Sequence, residues 1–481
     1  MEDQMETGKQ NGQPDSLVRG LTSVSATGAN IIDMVGVGPF ITLPLILTAM
    51  GGPQAMLGWV LGALLSLCDG CVWSEFGTAY PEAGGSYAYL KHLYGEKKLG
   101  RSFSFLYAWQ LLFSAPLSIA SGCIGFAQYA SWFIPSSSHA FFSTKLFHIP
   151  VVLSGQTLIA MGACLLALTL LYRPIGHIEK VTRALGITVL GTLALIIAVG
   201  FTHFSAKQAF SFPSGAFHLD HAFFLGLGAG MLVSAYDYWG YYNVCFLGAE
   251  VRDPQRTIPR AVFGSIAIVG TLYVLMNISV LGVVPWQQLV GVTSHDAAAR
   301  QYTMATFMQT AFVPHLWAHT AASVVVILIA VASLASVFAL LLGYSRIPFA
   351  AARDGNFPAI FGRIHPRYRI PSVSLLTLGG ITLLWCFLRL QDVIASLVVI
   401  RIVFQFLLQG MAALLPKHRR ERKQPGRFRM PLYPLPILLA MAGFLFILFS
   451  RPHFMAELGI AAIVLATGLI ALVIRRRSTQ A

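Results

Sequence analysis

Four ionisable residues stand inside otherwise apolar stretches of this chain: Asp33, Asp69, Asp237 and Arg401. A charge in lipid costs at least ~2.5–3.5 kcal/mol on insertion scales, so each of these groups needs a partner, a proton or a wet cavity. Helical rise from the ends of their stretches places Asp33, Asp237 and Arg401 near one depth, the bilayer midplane. Two acids and one Arg in one cavity leave a net negative charge. A coupling proton, a substrate amine or a basic side chain would complete it. The arrangement we expect pairs Arg401 with one Asp while the other binds or titrates. The alternative is that each acid is separately satisfied by hydroxyls or carries a proton. Asp33 lies on a stripe of small or polar residues (Thr22, Ala26, Ala29, Asp33, Gly36), which marks a face packed on protein. Asp69 sits deeper along its stretch and is read as structural.

Two of the stretches read as interrupted helices, with a packed kink at a helix crossing as the plainer alternative. Gly36-Val37-Gly38-Pro39 places two glycines and a proline in four positions, and each weakens a helix interior. Tyr236-Asp237-Tyr238-Trp239-Gly240 sets an acid among aromatics before a glycine, a poor surface for lipid. Backbone groups freed by unwinding must face a cavity or a ligand. Interruptions at matching places, about 200 residues and five spans apart, point to a binding site between two halves. N–H groups at a half-helix start suit a carboxylate, and carbonyls at a half-helix end suit an amine or ion. Ser333 and Ser336 are read as helix-packing hydroxyls.

Other chemistry is absent or weak. Cys68-Asp69-Gly70-Cys71 matches C-x-x-C but falls within an apolar stretch, as do Cys123, Cys164, Cys245 and Cys386, so inert thiols are expected. His315 and His319 lack both the Glu of H-E-x-x-H and a third ligand. There is no phosphate-binding G-x-x-x-x-G-K-[ST] loop and no nucleophile elbow. We expect no enzyme activity, no metal, no cofactor, and neither a nucleotide nor a nucleic acid as partner.

The elements that must position these residues are membrane spans. Of 481 residues, 56% are hydrophobic and 11% charged, against about 25% charged in soluble domains. Twelve apolar blocks of bilayer length fall at 21–49, 52–79, 102–134, 150–172, 183–202, 221–249, 258–284, 317–345, 371–388, 392–415, 431–449 and 456–474. Continuous runs exclude a membrane barrel, whose strands alternate. The expectation is an all-α polytopic fold of about twelve transmembrane helices. With the N-terminus inside, the outside loops carry only Lys145, Lys207, Arg300, Arg389 and Arg451, one each. Arg401 lies in a span and every other Lys and Arg falls inside, which predicts cytoplasmic termini. The net charge of +14 is therefore topology and attraction to anionic lipid. No apolar signal segment is evident in residues 1–20.

At the two breaks the chain resembles the amino acid–polyamine–organocation (APC) superfamily, and the resemblance covers nearly its whole length. Gly36-Val37-Gly38-Pro39-Phe40 resembles that family's G-S-G-I-F break. The stretch from Glu75-Phe76 to Gly84-Gly85-Ser86-Tyr87 is similar to its E-L…P-x-x-G-G-x-Y run. The run from Gly248-Ala249-Glu250-Val251-Arg252-Asp253-Pro254 to Ile258-Pro259-Arg260 looks like E-E-V-K-N-P-x-R-x-I-P, with Ala249 replacing the first acid of the E-E pair. Ser345-Arg346 to Ala352-Arg353-Asp354-Gly355 resembles S-R…A-R-D-G.

The resemblance implies two inverted five-helix repeats, at 21–202 and 203–415, then a basic cytoplasmic loop at 416–430 and two extra helices at 431–474. Cytoplasmic tails at 1–20 and 475–481 complete the division. It further implies a substrate held between spans one and six. The backbone of Gly36, Val37 and Gly38 would take a carboxylate, and carbonyls around Tyr236 to Tyr238 an amine. Tyr236 would serve as an aromatic gate, with Trp239 beside it and Gly240 leaving room for a side chain. A sodium-holding role for Ser333 and Ser336 is only what this resemblance implies. Val189 stands about where some proton-coupled members carry a Lys, so that coupling device does not transfer. The implied function is a plasma-membrane secondary active amino acid permease, not an enzyme, with a proton preferred over sodium as coupling ion. A polyamine or cationic amino acid permease or exchanger is the first alternative. A non-transporting amino acid sensor is another, and a channel with broken helices a third.

Overall fold

The computed structural model describes residues 19–96, 99–146, 149–173, 175–291, 299–313, 315–389, 397–422, 424–451 and 454–478. The expected N-terminal tail up to residue 18, the start of the tenth span at 392–396 and residues 479–481 lie outside the described residues. Among those described, seven helical stretches are long and apolar enough to cross a bilayer: Ser23–Ile41, Pro53–Ala79, Leu99–Ala130, Lys180–Thr202, Pro254–Leu281, Ala318–Arg353 and Leu397–Leu414. Three shorter apolar helices, Gly155–Leu171, Ser372–Trp385 and Leu435–Phe449, and a last helix, Phe454–Ser478, accompany them. Leu64, Ile187 and Ile463 are each more than half exposed, an outward apolar surface that a bilayer covers. The chain is an all-α, multi-pass membrane protein.

Three of the expected spans differ from a single full-length helix for local reasons. The expected span 150–172 opens instead with a strand. β1 (Ala140–Leu146) and β2 (Ile149–Ser154) form an antiparallel hairpin, and Val151 and Val152 suit a strand as well as a helix. The hairpin is seated on the end of the ninth span, where Val152 N donates to Phe387 O at 2.9 Å. The first and sixth blocks divide at their breaks.

The first block gives α1 (Ser23–Met34), α2 (Gly38–Ile41) and α3 (Leu43–Met50). Thr22 caps α1 in a reciprocal box with Ser25. Pro39 sits in the first turn of α2, where its missing N–H costs nothing. Then follow α4 (Met56–Ala79), α5 (Ser86–Leu93), α6 (Leu99–Ala130), α7 (Gly155–Leu171) and α8 (Ile175–Thr202). The sixth block yields α9 (His221–Tyr238), capped by Asp220 on Phe223 N at 2.8 Å, and after the break α10 (Asn243–Phe246). The remaining helices that matter here are α11 (Pro254–Leu281), α12 (Ala318–Tyr344), α13 (Ser372–Trp385) and α14 (Leu397–Leu414). Within α14, residues Ile402–Leu407 form a π-helix that begins directly after Arg401.

Packing is paired across the halves: α1 lies on α11 as α9 lies on α4, and α13 lies on α6 as α12 lies on α7. At the face where α1 begins, the basic segment after α14 is clasped to α4. Glu75, 2% exposed, accepts from Arg422 Nε and from Met430 N, each at 2.9 Å, with His418 Nε2 3.0 Å away. On the same face His92 lies 2.9 Å from Glu82 and holds that carboxyl below its ordinary range.

Candidate functional site

The two breaks meet. Asn30 of α1 donates to Tyr241 O at 2.5 Å and accepts from Val244 N at 2.9 Å, satisfying two backbone groups that the interruption of the sixth span sets free. In return, Tyr273 of α11 donates to Met34 O at 2.8 Å and lies 3.4 Å from Asp237 O. Gly240, at φ +121°, lets the second break approach the first. A Cβ there would stand 2.7 Å from Met34 N and 2.9 Å from Asp33 Cβ. The space beside Gly240 is thus filled by the backbone of the first break.

Where the breaks cross, a buried cavity of about 40 Å³ is lined by Asp33, Gly36, Val37, Gly38, Tyr236, Asp237, Trp239, Gly240, Ser336 and Arg401, together with Ser118, Ser121 and Tyr344. The three midplane charges share it. Asp237 accepts from Thr42 Oγ1 at 2.5 Å through Oδ2, while Oδ1 has no partner. That free oxygen lies against Gly38, where an added Cβ would run into it. Neither oxygen of Asp33 has a hydrogen-bond partner. Arg401, 1% exposed, donates through Nη1 to Tyr242 Oη at 3.2 Å, and its Nε and Nη2 are unpaired. Its guanidinium carbon sits 4.9 Å from the Tyr344 ring centroid and 5.5 Å from that of Trp239. Arg401 makes no direct ion pair with Asp33 or Asp237 among the described residues, but it lies within Coulombic reach of Asp33, while Thr42 holds Asp237.

The side chains of the remaining expected residues divide between the cavity and its surroundings. Tyr238 is fully buried behind the cavity, edge-on to Trp59 at 5.8 Å and tilted against Tyr273 at 5.5 Å. Ser333 donates to Ile329 O of its own helix at 2.9 Å and does not line the cavity, whereas Ser336 faces Gly36. Asp69 accepts from Tyr241 Oη at 2.6 Å and pins the second break to α4. Tyr236 donates to Ser121 Oγ at 2.8 Å, closing the cavity toward α6. Asn30, Thr42 and Tyr273 escaped the sequence reading. Asn30 is the one with a signal, a fully buried amide on the small-residue side of α1.

A second cavity of about 640 Å³ opens from the face where α1 begins, between α1, α8 and the end of α12. It reaches Ile31, two residues from Asp33. At its mouth Arg346 grips Glu250 through Nε at 2.9 Å and Nη2 at 3.3 Å, both side chains 4% exposed.

The sequence profile described as "Amino acid permease" matches residues 21–473. The chain belongs to this family, within the amino acid–polyamine–organocation superfamily, and the family consists of transporters rather than enzymes. It is 24% identical to the serine/threonine exchanger SteT of Bacillus subtilis, over 87% of each chain. It is also 24% identical to the branched-chain amino acid permease BcaP of Bacillus subtilis, over 90% of this chain and 88% of that one. To the vacuolar cationic amino acid transporter 4 of Arabidopsis thaliana it is 26% identical, over 77% of this chain and 58% of that one.

Proposed function

We propose that this protein is a secondary active permease that carries amino acids by alternating access and couples their movement to protons. The observation that carries the reading is the crossing of two interrupted helices at a buried cavity holding Asp33, Asp237 and Arg401 with unpaired polar atoms. Buried charges without partners are retained where they meet a ligand or a proton. A cavity of about 40 Å³ admits about one water, so substrate enters only when the helices around it shift. The breaks are the natural hinges. We read the wide cavity, which reaches Ile31 but shares no lining residue with the site, as the approach on the side of α1's start, and take that side as the cytoplasmic one of a plasma membrane on the distribution of Lys and Arg. On the opposite side, Tyr236 on Ser121 and Tyr129 on Phe40 O, at 3.0 Å, form the closure.

Proton coupling is supported by Asp33. A carboxyl with no hydrogen-bond donor, in a cavity where two acids face the single charge of Arg401, leaves one negative charge that a proton can complete. Exchange is the second reading, favoured by the likeness to a serine/threonine exchanger. A cationic substrate is favoured by two acids against one Arg. The test is purified protein in liposomes under an imposed inward proton gradient, with labelled leucine, serine, arginine and putrescine. Saturable amino acid uptake that an uncoupler abolishes in the parent, and that Asp33→Asn no longer links to the gradient, supports the proposal. Uptake of putrescine alone overturns the amino acid reading, and gradient-independent counterflow overturns proton coupling.

A further inference from the structure

The hairpin between α6 and α7 carries apolar side chains that nothing among the described residues covers. Phe133, Ile134, Phe141 and Phe142 are each more than half exposed. Neighbours along a strand alternate in direction, and the register irregularity between Ala140 and Phe142 relaxes that alternation. Two consecutive phenylalanines thus both stay open. Residues 132–154 hold one Lys, Lys145, with no Arg and no acid. The patch is continuous with surface that faces lipid. β2 runs straight into α7 through the Ser154 cap, and Leu158 in the first turn of α7 is more than half exposed. On its other edge β2 is fastened to the end of α13, where Val152 N donates to Phe387 O at 2.9 Å and Val151 bridges to Leu388. Leu384, just before that end, is again more than half exposed. The phenylalanines therefore prolong the lipid-facing flanks of two spans, at the end opposite the start of α1.

Two demands fix the depth at which the hairpin rests. β2 is bonded on both sides, whereas the outer edge of β1 has no strand partner among the described residues. Its free N–H and C=O groups need water, and such an edge is shut out of hydrocarbon. Exposed phenylalanines, for their part, are costly to leave in water. The boundary between headgroups and acyl chains meets both demands, as it does for amphipathic elements that lie along a membrane surface.

We propose that this hairpin is an interfacial anchor, bedded in the leaflet opposite the start of α1. Phe133, Ile134, Phe141 and Phe142 lie among the upper acyl chains, and the open edge of β1 stays in the wet headgroup layer. Seated there, the hairpin holds the start of α7 and the end of α13 at one depth in the bilayer.

The test reads depth in vesicles of phosphatidylcholine and phosphatidylglycerol, with a nitroxide label on Phe142→Cys. A Cys68→Ser background removes the native cysteine that is not fully buried. Collisions of the label with oxygen, which concentrates among acyl chains, are compared with collisions with a neutral nickel chelate, which stays in water. Leu165→Cys, exposed about 15 Å along α7, calibrates the hydrocarbon, and Gln424→Cys, exposed in the basic segment, calibrates the water. The oxygen-to-nickel ratio at Phe142 should stand several-fold above that at Gln424 and several-fold below that at Leu165. If the labelled protein does not fold, Phe141→Cys gives the same reading. A ratio equal to that at Gln424 puts the hairpin in water, and one equal to that at Leu165 puts its open edge in hydrocarbon. Shielding from both reagents, with spin–spin broadening that unlabelled protein dilutes away, puts a second copy on the hairpin. Each of these three results overturns the anchor and leaves the permease reading standing.

Discussion

Asn30 and Tyr241 hold the two interrupted spans together: the side-chain amide of one donates to the main-chain carbonyl of the other at 2.5 Å, across 211 residues of chain. Because the same amide accepts from Val244 N, its loss strands a buried acceptor and a buried donor together. Each stranded group costs about 1–3 kcal/mol. Asn30→Ala should therefore lower the thermal midpoint in detergent by several degrees and abolish uptake. Asn30→Asp, which keeps the acceptor for Val244, should do less harm.

Gly240→Ala should be more severe than Gly36→Ala. The first adds a methyl against Met34 N at a backbone angle that disfavours a side chain, whereas the second meets the movable hydroxyl of Ser336 at 2.8 Å. Expression and size-exclusion profiles should separate the two: an aggregated Gly240→Ala beside a monodisperse Gly36→Ala with reduced uptake.

Thr42→Val removes the single hydrogen bond to Asp237 while keeping side-chain volume. A carboxylate that loses its donor binds a proton more readily. The pH at which uptake is half-maximal should therefore rise in Thr42→Val relative to the parent. Asp237→Asn should abolish that difference. Measuring initial rates from pH 5 to 8 in all three decides it, and an unchanged profile in Thr42→Val would remove Asp237 from the titrating set.

At the mouth of the large cavity, Glu250 and Arg346 are both buried and pair in two places. Removing one partner leaves an uncompensated charge, a loss of about 3–5 kcal/mol, while removing both is far milder. Glu250→Gln and Arg346→Met should each lose folded protein, and the double variant should recover part of it, as a melting curve would show.

The spans and both interruptions were legible because glycine, proline and apolar run length act locally. Gly36 to Pro39 and Tyr236 to Gly240 announce their breaks without reference to anything else in the chain. Asp33, Asp237 and Arg401 were legible as a set because a charge in lipid is conspicuous wherever it falls. What escaped depends on distant partners. Tyr238 was expected to serve through its backbone carbonyl, and the packing of its ring on Trp59 and Tyr273 had no sequence signal. Thr42 gains its meaning only from an acid 195 residues away. The hairpin escaped for another reason: Val151 and Val152 satisfy a hydropathy window for a span and a strand equally well.

The wide turn in α14 has a mechanical consequence. A π segment stores one residue more than the α-helix it interrupts, and letting that residue go would rotate what precedes it by roughly a hundred degrees about the axis. Arg401 sits at the edge of that segment, so its aim is set by a local winding defect rather than by the helix as a whole. The guanidinium can therefore be turned toward or away from the crossing point by a change in winding alone, with the part of the helix after Leu407 left anchored where it is.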